Sequence, residues 1–210
     1  MTTQPDIIPE GLPDHLPEGE TLIWQGKPAW QRLAIDAYHV RKVAAYFAVI
    51  IVAQAAVNLN NGQPWQDALS AVPVLAGLAF AACGLLLALA YASAKTTSYT
   101  LTSKRALMRV GIALPVIINL PFKQIDGVSF ALTGKGCGTI VFKTGGGIRL
   151  AYLLLWPHAK PWNLTKPLPA FRDIPNVEVV ASRLAFALGG QMPMVENVGH
   201  ALSGAMVPAE

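Results

Sequence analysis

The sequence predicts an α+β membrane protein, in which a two-helix transmembrane hairpin precedes an antiparallel β-barrel capped by a C-terminal helix. The 210 residues are 53% hydrophobic and only 13% charged, whereas a typical soluble domain carries about 25% charged residues. Much of the apolar content lies in two uncharged runs in the first half of the chain. Short β-rich runs separated by turn residues follow, which is typical of an antiparallel barrel or sandwich.

The two uncharged runs predict transmembrane helices at residues 43–59 and 72–94, joined by a polar loop at 60–71. About 20 apolar residues cross a bilayer core and roughly 17 are the lower limit, so the first run is just long enough. Arg and Lys flank the outer ends of both runs and are missing from the loop. This asymmetry predicts cytoplasmic termini and a periplasmic loop in a bacterial inner membrane.

The chain before the first span divides into two parts. Residues 1–26 hold five acidic residues and no Lys or Arg, which predicts an acidic, Pro/Gly-rich arm ending in a short strand at Glu20–Gly26. Residues 27–42 predict an interfacial lead-in helix. Aromatic and basic side chains favour the membrane interface, and those expected there are Trp30, His39, Arg41, Lys42 and Lys95.

Residues 96–190 predict a cytoplasmic β domain. Its short β-rich runs lie at 116–120, 128–132, 139–143 and 148–153. Between the last two, the glycines of Thr144–Gly147 predict a hairpin turn.

The stretch 106–122 has a second interpretation, because it is long enough for a third membrane span. However, Arg109 lies inside it, and a charged side chain at the bilayer centre costs up to about 3 kcal/mol. We therefore favour two strands joined at Gly111–Pro115.

The C-terminal part predicts an irregular segment, a helix and a tail. Four prolines within 156–169 disfavour regular structure there. Asn176–Leu188 predicts the final helix, and residues 191–210 predict a flexible tail. One helix face carries apolar residues at 3.6-residue spacing, namely Val177, Val180, Ala181, Leu184 and Leu188.

The sequence offers little catalytic or cofactor chemistry. It lacks a complete phosphate-binding loop, a serine nucleophile motif and metal-ligand spacing of Cys and His. Neither predicted span contains Asp, Glu, His, Lys or Arg, although such residues inside a bundle mark functional sites. Cys83 and Cys137 are expected as reduced thiols. We therefore predict no enzyme, no catalytic residue, no cofactor and no bound metal.

Charge distribution suggests binding partners. Residues 95–183 hold twelve Lys or Arg against three acidic residues, which favours anionic membrane lipid or an acidic protein surface. No recognition motif for nucleic acid accompanies the charge, so nucleic acid is not an expected partner.

A cluster of aromatic and basic residues admits two interpretations. Trp156, His158, Lys160 and Trp162 lie close together in the sequence. The tryptophans either pack on the barrel or lie at the lipid interface, or the cluster is an exposed contact for a protein partner, since Trp is enriched at binding hot spots.

Several segments resemble the bacterial pleckstrin-homology-like membrane domain. They are Tyr99–Arg109, Leu120–Asp126 and Gly138–Phe142. The resemblance implies a bent antiparallel barrel capped by a C-terminal helix.

A narrower resemblance covers most of the chain. Glu18–Trp30, His39–Val43, Met108–Pro115, Asn119–Phe122 and Leu155–Trp162 are similar to the PuhB-type photosynthetic-complex assembly proteins of purple bacteria. This resemblance implies a non-enzymatic assembly factor in the intracytoplasmic membrane, with a reaction-centre or light-harvesting subunit as client. The alternative is a membrane regulator that binds anionic lipid through its basic domain, and a homodimer remains compatible with either interpretation.

Overall fold

The computed structural model describes residues 16–134, 136–145, 151–160, 167–189 and 194–196. Four helices form its N-terminal half: α1 at Trp30–Asp36, α2 at Val40–Asn60, α3 at Trp65–Ala68 and α4 at Val72–Thr96. Two four-stranded sheets and two further helices follow. The prediction of two long apolar helices preceding antiparallel sheets and a C-terminal helix is confirmed.

Helices α2 and α4 form an antiparallel hairpin whose apolar surface faces outward. Their 21 and 25 residues correspond to about 32 and 38 Å at 1.5 Å per residue. Both are long and apolar enough to cross a membrane. Helix α2 has no buried residue, and α4 buries only Ala90, Ser93 and Ala94 near its C-terminal end. The two helices therefore do not bury their apolar residues against the sheets.

The lead-in segment is divided rather than continuous. Helix α1 ends at Asp36, and His39 adopts a left-handed conformation with φ of 55°. This break separates α1 from α2, so Arg41 and Lys42 belong to the first turn of α2. Leu33 of α1 is buried against the C-terminal end of α4, together with Ala34, Tyr38, Ala90 and Ala94. The start of α2 and the end of α4 consequently lie side by side.

The first sheet brings the N-terminal strand next to the chain that leaves the hairpin. Its strands are β1 at Leu22–Gly26, β2 at Ser98–Thr102, β3 at Arg105–Val110 and β4 at Val116–Pro121, antiparallel in the order β1-β2-β3-β4. Strands β3 and β4 occupy the stretch 106–122, so this stretch is not a third membrane helix. Gly111–Pro115 joins the two strands as predicted. Gly111 has φ of +114°, and a Cβ there would lie 2.2 Å from the Leu114 carbonyl oxygen, so the turn requires glycine.

The second sheet consists of β5 at Ile125–Gly134, β6 at Cys137–Thr144, β7 at Ala170–Pro175 and β8 at Met194–Glu196, in the order β7-β6-β5-β8. Only the β5–β8 pair is parallel. The 3₁₀ turn Phe122–Gln124 carries the chain from the first sheet to the second. Among the described strands the two sheets stay separate, so the predicted closed barrel is wrong.

The prediction that β6 forms a hairpin with the run 148–153 is also wrong. Strand β7 occupies that edge, with Ile140 paired to Phe171 and Val141 to Ala170. Residues 146–150 of the proposed hairpin lie outside the described residues, and Tyr152–Leu155 forms a short helix, α5, instead of a strand. Strand β6 thus pairs with a strand that is distant in the sequence rather than with the run that directly follows it. The Phe171 and Ile174 side chains of that distant strand are fully buried.

Helix α6, Val177–Ala187, covers the second sheet as predicted. Val177, Val180, Ala181 and Leu184 are buried in the common core of the sheets. The tail prediction fails for Met194–Glu196, which pair with β5, while residues 197–210 lie outside the described residues. The largest side chains of this core are Tyr99, Phe142, Phe171, Met108 and Leu120.

Candidate functional site

The connection between the hairpin and the sheets is very short. Helix α4 ends at Thr96 and β2 begins at Ser98, so only Thr97 separates them. The Thr97 hydroxyl donates a hydrogen bond to the Ser93 carbonyl oxygen at 2.7 Å, which fixes the end of the helix. The end of α4 and the start of the first sheet are therefore held next to each other by a single connecting residue.

A buried histidine links this connection to the second sheet. The Tyr99 hydroxyl lies 2.6 Å from His158 Nδ1, and the Thr97 and Ser93 hydroxyls lie 3.0 and 3.4 Å from Nε2. The Arg172 backbone N–H donates to the Tyr99 hydroxyl at 3.2 Å. We call these five residues the junction. It joins α4, both sheets and the segment before β7.

The hydrogen bonds of the junction define the protonation state of its histidine. The Thr97 hydroxyl proton is used toward Ser93, so Thr97 accepts a hydrogen bond from Nε2–H, and Nδ1 accepts one from Tyr99. Burial and the nearby Arg172 charge lower the pKa of His158 to about 3. The ring is therefore neutral at physiological pH.

A pair of carboxylic acids lies beside the junction. Asp173 is fully buried, Arg172 Nε lies 3.9 Å from its Oδ2, and the charge of Asp36 in α1 acts on its carboxyl group. Its backbone carbonyl accepts a hydrogen bond from the Ala29 N–H at 2.8 Å. Burial raises the pKa of Asp173 to about 6, with the Asp36 charge adding to the effect and Arg172 opposing it. The start of helix α1 is thereby joined to β7 by a backbone hydrogen bond next to a buried carboxyl group whose ionisation is unfavourable.

The aromatic and basic cluster is only partly exposed. His158 is 1% exposed, so this residue does not fit the predicted exposed contact, because its ring nitrogens are used inside the junction. Trp156 is 46% exposed, and its ring meets Tyr38 edge-on at 5.1 Å between centroids. Lys160 is exposed, while Trp162 lies outside the described residues. Trp156 and Lys160 remain available on the surface.

The five predicted interface residues gather at one end of the hairpin. Trp30 meets Tyr91 edge-on at 6.0 Å, and Lys95 Nζ lies 6.0 Å above the same ring. His39, Arg41 and Lys42 are exposed around the start of α2. Their position at a membrane interface remains a prediction.

A cavity of about 350 Å³ opens beside this end of the hairpin. It is lined by Lys27, Lys95, Arg109, Thr96, Ile112 and Pro115, among others, and we call it the basic pocket. The sequence alone did not predict this pocket, although it did predict the Gly111–Pro115 loop that forms one of its sides. The three cations meet because β1 pairs with β2 and β2 with β3, with Gly26 opposite Tyr99 and Ser98 opposite Arg109.

An ion pair fixes the N-terminal strand to the first sheet. Arg105 Nε and Nη2 donate to the two Glu20 carboxylate oxygens at 2.8 and 2.7 Å, and the Thr102 hydroxyl donates to Glu20 at 2.6 Å. Burial alone would raise the pKa of Glu20, but the bonds from Arg105 and Thr102 outweigh it and lower the pKa. Glu20 is thus a structural residue of the sheet, although the sequence placed it in the acidic arm.

The described part of the chain contains no group of three or more His, Cys, Asp or Glu side chains arranged to hold a metal. Cys83 and Cys137 are free thiols. The polar residues of the junction are buried and bonded to one another. The junction therefore joins the hairpin to the sheets, and the basic pocket presents cations beside the hairpin.

Comparison with known proteins places the chain in a family. The family model "Bacterial PH domain" matches residues 44–187, which include most of α2, all of α4 and most of the two sheets. An uncharacterized 23.7 kDa protein in the puhA 5′ region of Rhodobacter capsulatus is 38% identical over 206 residues, covering 95% of this chain and 94% of the relative. No solved structure matches. On the strength of the family match, the chain belongs to the bacterial PH domain family.

Proposed function

We propose that this chain is a non-enzymatic membrane assembly factor for the photosynthetic reaction centre. The carrying observation is the near full-length relative encoded in the puhA 5′ region, since puhA is a reaction-centre gene. In this proposal the hairpin lies in the intracytoplasmic membrane with both termini in the cytoplasm. The client is a transmembrane subunit of the reaction centre, or of its light-harvesting ring.

The outward surface of the hairpin supports a helical client. Gly77, Ala81 and Gly84 are exposed on α4, and their spacing of four and three residues puts them on one face at about 100° per residue. A Cβ built on Gly77 or Gly84 meets nothing within 4 Å. Partly buried side chains lie on the opposite face and include Leu75, Ala79, Ala82 and Leu86. The small-residue face is therefore directed away from α2.

This face has the composition that transmembrane helices use for close approach. Small residues let two backbones come near each other, because lipid supplies no hydrophobic force between helices. A client helix packed here would lie beside a hairpin rigidly joined to the sheets through the junction. The basic cytoplasmic domain would then hold the cytoplasmic segment of the same client.

A deletion strain complemented with variants tests the proposal. We expect deletion to lower reaction-centre near-infrared absorbance selectively and the unaltered chain to restore it. The Gly77→Leu/Gly84→Leu double variant should restore little, because two large side chains keep a client helix at a distance. Cross-linked pull-down from phototrophically grown cells should show the matching loss of a reaction-centre or light-harvesting subunit.

Ala76→Leu is the matched control, since Ala76 is also exposed on α4 but lies about 100° from Gly77. It should restore absorbance while reaching the same level in the membrane as the double variant. A normal near-infrared spectrum in the deletion strain would refute the assembly function. Equal loss with Ala76→Leu would refute the client face on α4.

A further inference from the structure

The basic pocket lies where α4 would leave a bilayer. The helix is about 38 Å long at 1.5 Å per residue, whereas the hydrocarbon core is about 30 Å thick. Lys95 and Thr96, in its last turn, line the pocket. A hairpin embedded in a membrane therefore holds this pocket at the level of the lipid headgroups.

The charge of the basic pocket selects an anion. Lys27 follows β1, Lys95 ends α4 and Arg109 lies in β3, so three separate elements each supply one cation. None of the nine described lining residues is acidic. A guanidinium group and ammonium groups converging on one cavity are the donors that proteins use for phosphate.

An apolar lip adjoins these cations. The loop Gly111–Pro115 contributes Ile112 and Pro115 to the pocket, and Ile112 and Leu114 are 47% and 81% exposed. Exposed aliphatic side chains beside a phosphate-binding cavity suit a ligand that joins an anionic group to a hydrocarbon chain. A free inorganic anion would gain nothing from this loop.

We propose that the basic pocket binds the phosphate of an anionic phospholipid, with the Gly111–Pro115 loop dipping into the acyl region beside it. Lys95 and Arg109 contact the phosphate, and Lys27 closes the open side. The inference rests on the hairpin lying in a bilayer and is independent of any reaction-centre client. It gives the chain a preference for membrane regions rich in lipids such as phosphatidylglycerol.

Native mass spectrometry of the full chain, released from detergent with equimolar phosphatidylglycerol and phosphatidylcholine, tests the proposal. The unaltered chain should retain phosphatidylglycerol preferentially. Lys95→Gln/Arg109→Gln should lower that retention by about tenfold or more, since two surface cations are lost. Leu114→Gln, which keeps every charge, should lower it less. Unchanged retention in the double charge variant would overturn the proposal.

The matched control is Lys123→Gln/Lys143→Gln, which removes the same charge from two exposed lysines outside the pocket. It should retain phosphatidylglycerol like the unaltered chain, and an equal loss would overturn the proposal in favour of diffuse attraction. Glycerol 3-phosphate should compete weakly, and full competition at equal concentration would overturn the lipid assignment in favour of a soluble phosphate. Circular dichroism identifies any variant that misfolds. If the double charge variant misfolds, Lys95→Gln alone, at an exposed residue, replaces it: reduced phosphatidylglycerol retention supports the proposal, and unchanged retention overturns it.

Discussion

The hairpin and the two sheets use their apolar residues in opposite ways. In the hairpin, Phe80 is 84% exposed and α2 has no buried residue. In the sheets, Tyr99, Phe142 and Phe171 are fully buried, with the Phe171 ring 4.6 Å from Tyr99 and 4.9 Å from Phe142. The sheets and α6 therefore form a core within the chain, whereas the hairpin presents its apolar groups to whatever surrounds it.

This difference shows where the free energy of each region originates. Burial against neighbours stabilises the sheets in water, because apolar surface leaves the solvent. The outer faces of α2 and α4 gain nothing from the chain itself, and an exposed apolar surface of this extent is typical of a contact with a membrane or with another protein. The junction lies between these two regions. Its hydroxyl groups, its imidazole ring and the Arg172 backbone N–H are hydrogen-bonded to one another, whereas Arg172 Nε and Nη2 are buried without a hydrogen-bond partner among the described residues.

Removing one phenylalanine ring from each region gives the strongest test of this contrast. Phe171→Ala should lower the free energy of unfolding by about 3–5 kcal/mol, because it leaves a cavity in a packed core. Phe80→Ala should change it by less than about 0.5 kcal/mol in detergent, because this ring has few protein neighbours. Denaturant titration of the purified full-length variants, followed by near-ultraviolet circular dichroism, measures both. Similar losses for the two changes would contradict the separation.

The buried Asp173 beside the junction allows a second test, through pH. The carboxyl group of Asp173 has an ordinary pKa of 3.8, raised to about 6 in the folded chain by burial and by Asp36. Between these values the folded state binds more protons than the unfolded state, so this group loses stabilising effect as pH rises from about 4 to about 6. Above that range the ionised Asp173 is a constant cost.

Asp173→Asn should remove this dependence. Asparagine tolerates the left-handed backbone found here, where φ is 52°, and it carries no charge to bury. The stability of the variant relative to the unaltered chain should rise between pH 4 and pH 7, by on the order of 3 kcal/mol. Urea titrations at several pH values measure the difference. Asp126→Asn, at an exposed carboxylate, is the control, and an identical pH profile in both variants would contradict the role of the buried pair.

Local patterns were sufficient for the hairpin and the final helix. Long uncharged runs identify α2 and α4, because the length that crosses a bilayer is a property of consecutive residues. The spacing of Val177, Val180, Ala181 and Leu184 identifies the buried face of α6 for the same reason. Gly111 and Pro115 similarly predict the loop between β3 and β4.

Long-range pairing set the limits of prediction. Strand β7 contains Arg172 and Asp173 and lacks an alternating pattern, yet it pairs with β6 and is buried through Ile174. His158 was a candidate for an exposed partner contact, and its burial could not be foreseen because its partners Tyr99 and Thr97 lie far away in the sequence. The basic pocket was missed because its three cations meet only through strand register. In each case the missing information was which distant residues become neighbours.

The smallest expected change in the free energy of unfolding comes from adding a single methyl group to the outer face of the hairpin. Gly77→Ala meets no atom within 4 Å and favours the helix, so the free energy of unfolding should stay equal or rise by less than about 1 kcal/mol. At Gly138 in β6 the same methyl would lie 2.5 Å from the Ala131 carbonyl oxygen and from Val177, and the core has to shift. Thermal unfolding in detergent compares the two variants, and a loss of stability with Gly77→Ala would show that the chain itself already covers this face. If the face is instead kept open for a client helix, Gly77→Ala should weaken client recovery in the cross-linked pull-down while leaving the chain itself at least as stable as before.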